Sequence, residues 1–306
     1  MYELISVNKR NSVILIFIMA ILIVAVGYVF GAYYGSGEFG VIVALILSSI
    51  LILTSFFGGR ALILGMSGAK RIERKDYPQL VNIVEELCIA SGLPMPKVYV
   101  IDDTAPNAFA TGRNPKNSAV AVTTGLLDKL NRDELQGVIA HELSHIKNYD
   151  ILFAMLMAVL VGVIVLLCDG FWRMGRRSLI FGGGRSRRRG KGGGGEIILL
   201  LIAIILSILA PIFAKIIQFA VSRQREYLAD ASGAMLTRYP EGLASALNKI
   251  ANDKEVLEVA NRATQHLYIV NPIKPFEARA NNLFSTHPPI EERIRRLREL
   301  TIKPLK

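Results

Sequence analysis

Four stretches of this chain carry no charged side chain: Val13 to Tyr34, Val41 to Phe57, Ile151 to Cys168 and Ile197 to Ala214. Each is close to the roughly 20 residues that a helix needs to cross about 30 Å of hydrocarbon. Hydrophobic residues make up 52% of the 306, and they are concentrated in these blocks. A multi-pass membrane protein with a water-facing part is therefore expected. The first two blocks are separated only by the short turn "GSGEFG" and read as a helical hairpin. The first block has too long an apolar core, and no small-residue cleavage site after it, for a secretory signal peptide.

Charge sets the orientation. Lys9 and Arg10 precede the first block, Glu38 stands in the turn, and Arg60, Lys70, Arg71, Arg74 and Lys75 follow the second. The positive-inside rule puts the N-terminus and the segment after residue 58 in the cytoplasm. The net charge of +11 fits basic residues flanking membrane segments. It does not point to nucleic acid, because no basic and aromatic interleaving accompanies it. Two cysteines, Cys88 and Cys168, form no disulfide framework, which fits a reducing compartment.

Four sections are expected: an N-terminal transmembrane hairpin (1–65), a first cytoplasmic part (66–150), a second pair of hydrophobic helices (151–221) and a second cytoplasmic part (222–306). The second pair encloses an Arg/Gly-rich loop, 172–196, with eight basic residues. Its composition reads as a flexible linker. If both later blocks span, this loop lies outside, against the positive-inside rule. Block length nonetheless favours two crossings.

The water-facing parts read as α+β with a small sheet. "YPQLVNIVEELCIASGLP" has helical apolar spacing at Leu80, Ile83, Val84 and Leu87 and ends at Gly92 and Pro94. "KVYVID", "NAFATGR" and "SAVAVTTG" read as short strands. "NRDELQGVIAHELSHIKN" opens a helix with Asn131 as N-cap and Glu134 completing a capping box. "YPEGLASALNKIAND" and "HPPIEERIRRLREL" read as helices with proline in the first turn.

His141 and His145 are four residues apart, so a helix puts both imidazoles on one face, one turn apart. Glu142 lies between them. This H-E-x-x-H pattern reads as two zinc ligands and a general base. A third ligand is needed. The remaining histidines are His266 and His287; the alternative is a carboxylate. "SRQREYLAD" offers Glu226 and Asp230, again four apart on one helix face. Glu226 could bind the metal, and Asp230 could then accept from the outer ring nitrogen of a ligand histidine. Such a set suits metal-assisted hydrolysis, with Glu142 taking the proton of the attacking water. "NAFATG" is a candidate edge strand for an extended peptide substrate. Arg223 and Tyr227, beside Glu226, are weaker candidates for substrate contact.

"HELSH" followed by "SRQREYLAD", with hydrophobic blocks on both sides, resembles the HtpX-type integral-membrane zinc metalloproteases. These belong to the gluzincin group, and the CAAX prenyl proteases are relatives. "PNAFATGR", "VTTGLL" and "FSTHPP" extend the resemblance over nearly the whole chain. It implies a zincin-like cytoplasmic domain with one Zn2+ held by His141, His145 and Glu226, and Glu142 as catalytic base. It also implies polypeptide substrates, chiefly damaged or misassembled membrane proteins, cleaved from the cytoplasmic side of the plasma membrane in quality control or stress. Asn107 and Ala108 resemble substrate-strand positions of other zincins. His287 could donate to the oxyanion, act as a fourth ligand at rest, or cap the last helix. His266 reads as structural. Two rival readings stand: a CAAX-type prenyl-protein protease, for which four apolar blocks are few, and a non-enzymatic membrane zinc-binding scaffold, against which the intact motif speaks. A metal transporter would want ionisable groups inside its spans, which these blocks lack.

Overall fold

A computed structural model describes residues 2–181, 193–253, 255, 269 and 288–302. Nine helices and four strands are formed among the described residues. The helices α2 (Gly37–Met66), α6 (Asp150–Phe181) and α7 (Gly193–Thr237) contain the second to fourth apolar blocks and extend beyond each, and α1 (Tyr2–Tyr33) covers the first except for its last residue, Tyr34. By length and composition all four can cross a membrane. Their large exposed side chains, such as Phe17, Ile21, Phe57 and Ile205, are apolar, which suits a lipid surround.

The chain forms two compact units. Lys9–Ser55 and Met155–Gln218 form one of them. In it α1 and α2 meet through glycines: a Cβ on Gly40 would stand 2.1 Å from the Gly27 carbonyl oxygen. Only glycine allows so close a backbone approach, a common device where helices pack in lipid. Phe30 of α1 stacks on Phe171 of α6 with ring centroids 4.5 Å apart.

The other unit is Met1–Asn8, Phe56–Ala154 and Phe219–Lys306. Its sheet has the order β1 (Lys70–Arg71), β2 (Lys97–Ile101), β4 (Ser118–Thr123), β3 (Ala108–Gly112). β2 and β4 are parallel; the outer pairs are antiparallel. Strand alternation sends Val98, Val100, Val120 and Val122 into a core with α3 (Pro78–Ser91), α5 (Arg132–Lys147), α8 (Pro240–Asn252) and α9 (Ile290–Ile302). Ile101, Ala119 and Ala121 face the other way, against Leu64 at the end of α2. Both faces are thus covered, and every residue of β4 is buried.

β4 stops at Thr123, two residues before the expected end, because the Thr123 hydroxyl accepts from Leu126 N–H and caps α4 (Thr124–Lys129). α5 carries the capping box read from the sequence, with Glu134 N–H to Asn131 Oδ1 and Asn131 N–H to Glu134 Oε2 both 2.9 Å. α9 starts at Ile290, so Pro288 and Pro289 precede the helix rather than sitting inside it.

Candidate metal centre

α5 supplies His141, Glu142 and His145, and eleven of its sixteen residues are buried. It ends at Asn148. Tyr149 then adopts a left-handed conformation, φ 60°, before α6 begins at Asp150. The histidine helix therefore does not run unbroken into the apolar block. The glutamate helix does: α7 is one element from Gly193 to Thr237, carrying the fourth block, Glu226 and Asp230. α7 lies against α5 at Gly233, where a Cβ would meet the His141 backbone nitrogen at 3.0 Å. Gly233 shares the helix face of Glu226 and Asp230, so this close approach helps to bring Glu226 to the histidines.

Three donors converge. His141 Nε2 and His145 Nε2 are 3.1 Å apart, His145 Nε2 is 3.4 Å from Glu226 Oε1, and His141 Nε2 is 3.6 Å from Glu226 Oε2. Donors held 2.0–2.1 Å from a tetrahedral zinc stand about 3.3–3.4 Å from one another. The observed separations bracket that value, and two imidazoles with a carboxylate are a donor set that zinc takes. Charge agrees. The buried groups here are four carboxylates (Glu142, Asp150, Glu226, Asp230) and two guanidiniums (Arg225, Arg293). With neutral imidazoles this leaves two negative charges, which one divalent cation balances. The residues fit the metal.

The outer ring nitrogens face carboxylates. His141 Nδ1 is 2.9 Å from Asp230 Oδ1, and His145 Nδ1 is 3.0 Å from Asp150 Oδ2. A carboxylate can only accept, so a neutral imidazole with its proton on Nδ1 presents its Nε2 lone pair to the donor cluster. Each carboxylate is held by an arginine. Arg293, fully buried, donates to both Asp230 oxygens at 2.7 and 2.8 Å and to the Ile269 carbonyl at 3.0 Å. Its Nη1 is also 3.4 Å from Glu226 Oε2. Arg225 pairs with Asp150 and stacks over Phe153 at 4.0 Å.

Burial works against a charge on both imidazoles, but the facing carboxylates outweigh it. They raise the pKa of His141, and that of His145 well above its usual value. Burial likewise raises the Glu142 carboxyl, with Glu226 adding to the effect and the imidazoles opposing it. A raised carboxyl pKa suits a group that must take up a proton and pass it on.

Asp150, Arg225 and Arg293 were not singled out in the sequence. The signals were present but weak. Arg225 adjoins the candidate donor Glu226, Asp150 follows His145 at the start of the next helix, and Arg293 occupies a core position between Ile290 and Leu297 on an otherwise amphipathic helix. Of the weaker candidates, Tyr227 lies under the Arg296 guanidinium at 3.9 Å. Asn107 is built into the sheet: its carbonyl accepts from Thr123 N–H at 3.0 Å and its Oδ1 from Ala108 N–H at 3.0 Å. β3 is an edge of the sheet among the described strands, and its Ala108 carbonyl accepts from Ile269 N–H at 3.0 Å. Strand alternation turns Ala110 to the same outer side. His266 and His287 lie outside the described residues.

Residues 74–301 match the model of peptidase family M48. The chain is 51% identical over 300 residues to a protease HtpX homolog of Dictyoglomus turgidum, covering 97% of this chain and 94% of that one. It is 47% identical over 302 residues to another from Caldanaerobacter subterraneus subsp. tengcongensis, covering 99% and 98%. The crystal structure of S. mikatae Ste24p shares the fold, with a TM-score of 0.54 and 20% identity over 97% of this chain and 67% of that one. Four apolar helices, a small mixed sheet and this kinship identify a multi-pass membrane metalloprotease: the chain belongs to peptidase family M48, among its HtpX-type members.

Proposed function

We propose that the chain is a zinc endopeptidase that hydrolyses peptide bonds of damaged or misassembled membrane proteins, working at the cytoplasmic face of the plasma membrane. The observation that carries this reading is the convergence of His141, His145 and Glu226 at 3.1–3.6 Å beside the buried Glu142. His141, His145 and Glu226 hold the ion. When bound, zinc supplies Lewis acidity towards water and the scissile carbonyl. Glu142 takes the proton of the attacking water on its carboxylate and later passes it to the leaving amine. The substrate extends along the outer edge of β3 at Ala110, where main-chain pairing gives affinity without sequence specificity; pairing at Asn107 and Ala108 requires the Ile269 N–H to leave the Ala108 carbonyl. Glu226 on the same helix as the fourth apolar block supports a site tethered near the bilayer, and basic residues after the second block support the cytoplasmic side.

The test is zinc content and cleavage of an unfolded model protein, in detergent, for wild type and Glu142→Gln. The expected result is about one zinc per chain in both, with cleavage only by wild type. Cleavage at the wild-type rate by Glu142→Gln would remove Glu142 as the base. Absence of zinc from the wild type would remove the ligand assignment.

A further inference from the structure

Asp150 has two oxygens and both are engaged. Oδ2 faces His145 Nδ1 at 3.0 Å, and Oδ1 pairs with Arg225. The carboxylate and the guanidinium are both buried, where an unpaired charge is strongly unfavourable. Arg225 is fixed from a second side by the ring of Phe153, one turn along α6 from Asp150. The backbone cooperates. On an unbroken helix Asp150 would lie about 140° round the axis from His145. The left-handed turn at Tyr149 ends that helix and lets Asp150 reach the imidazole. A tyrosine at positive φ is unfavourable and persists only where surrounding contacts hold it. Arg225 also precedes Glu226 in sequence. α7 thus delivers, from adjacent positions, one donor to the cluster and the clamp on the carboxylate that orients another.

We propose that Asp150, clamped by Arg225, is the positioning residue for His145. It holds the Nδ1 proton and the ring plane so that Nε2 is presented to the metal. This rests on the zinc reading above. It makes the centre two-armed: Asp230 with Arg293 orients His141, and Asp150 with Arg225 orients His145. The second arm stands at the first residue of a candidate membrane helix, so the start of α6 contributes directly to the metal site.

The test uses the full chain in detergent. Zinc retention is titrated against a chelator for wild type, Asp150→Ala and Asp150→Asn. The same proteins are loaded with cobalt(II), whose visible absorption reports ligand geometry, and the metal-free forms are melted. Asp150→Ala should bind zinc roughly 10- to 100-fold more weakly, the usual effect of losing an outer partner of a ligand histidine. Asp150→Asn keeps an acceptor but loses the charge, and should fall between them in zinc affinity, with an altered cobalt spectrum; its metal-free melt should also drop, because the buried Arg225 loses its counter-charge. Turnover should drop with KM unchanged. Zinc affinity of Asp150→Ala within about twofold of wild type would overturn the proposal, since an outer-partner role predicts a larger loss. If Asp150→Ala does not fold, unchanged affinity and cobalt spectrum in Asp150→Asn overturn it instead. Wild type that binds zinc alongside unaffected variants removes this inference alone; wild type without zinc removes it together with the zinc reading.

Discussion

Arg293 places a full charge where no water reaches, with its side chain fully buried in α9. The arrangement is tolerable because two donors meet Asp230 and a third meets the Ile269 carbonyl. Burial alone would lower its pKa; the Asp230 carboxylate, followed by Glu226 and Glu142, more than reverses this, so it stays charged. Replacing it with methionine leaves Asp230 buried without its partner. Breaking a buried pair in this way costs about 3–5 kcal/mol. Arg293→Met should therefore lower the unfolding midpoint sharply, and Arg293→Met with Asp230→Asn should recover part of the loss. An unchanged melt in the single variant would mean that Asp230 finds another partner. Residues of this kind are hard to read in a sequence. The histidine pair was legible because four-residue spacing on a helix is a local fact. Arg293 was not, because its partners come from α7 and from residue 269, and only folding brings them together.

Among the elements, α5 shows most clearly how local signals serve long-range order. Asn131 and Glu134 were readable as a capping box, and the structure has both bonds. The sequence did not reveal that the same carboxylate also ties α5 to α8: Ser245 Oγ donates to Oε1 at 2.6 Å and Lys249 Nζ to Oε2 at 2.7 Å. Burial pushes the Glu134 pKa up, but the bonds from Lys249, Ser245 and the Asn131 N–H outweigh it and hold it below the usual range. A depressed folded-state pKa contributes stability that is fully present above the unfolded value, about 4.3. That stability is lost as pH falls through the folded value. Glu134→Gln should thus destabilise by about 1–2 kcal/mol at neutral pH. The gap to wild type should stay constant down to about pH 4.3 and close only below it. A gap that closes at higher pH would place the effect elsewhere. β1, two exposed basic residues, had no readable strand signal; its pairing with Tyr99 and Val100 of β2 forms it.

For the whole molecule, the proposed zinc ion would join α5 to α7, two helices separated in sequence by all of α6. Without it, the buried carboxylates depend on protonation of the two imidazoles for compensation, and the imidazole pKa values are raised accordingly. Chelation should lower the unfolding midpoint, and zinc should restore it. At free zinc a hundredfold above its dissociation constant, binding adds about 2.7 kcal/mol. Glu142→Gln should retain this zinc-dependent shift, while His145→Ala should lose it. A midpoint indifferent to chelator would mean that the donors close on one another without the metal. The sequence alone determined the membrane class, the helical face carrying His141, Glu142 and His145, the candidate third donor and the cap that starts α5. Each depends on composition or on spacing within one element, which local helix geometry and the hydrophobic effect translate directly. Tertiary structure decided the break at Tyr149, the approach of α7 at Gly233 and the two arginine-held carboxylates behind the histidines. Those depend on which backbones can touch and which buried charges find partners, and neither is settled until distant segments pack.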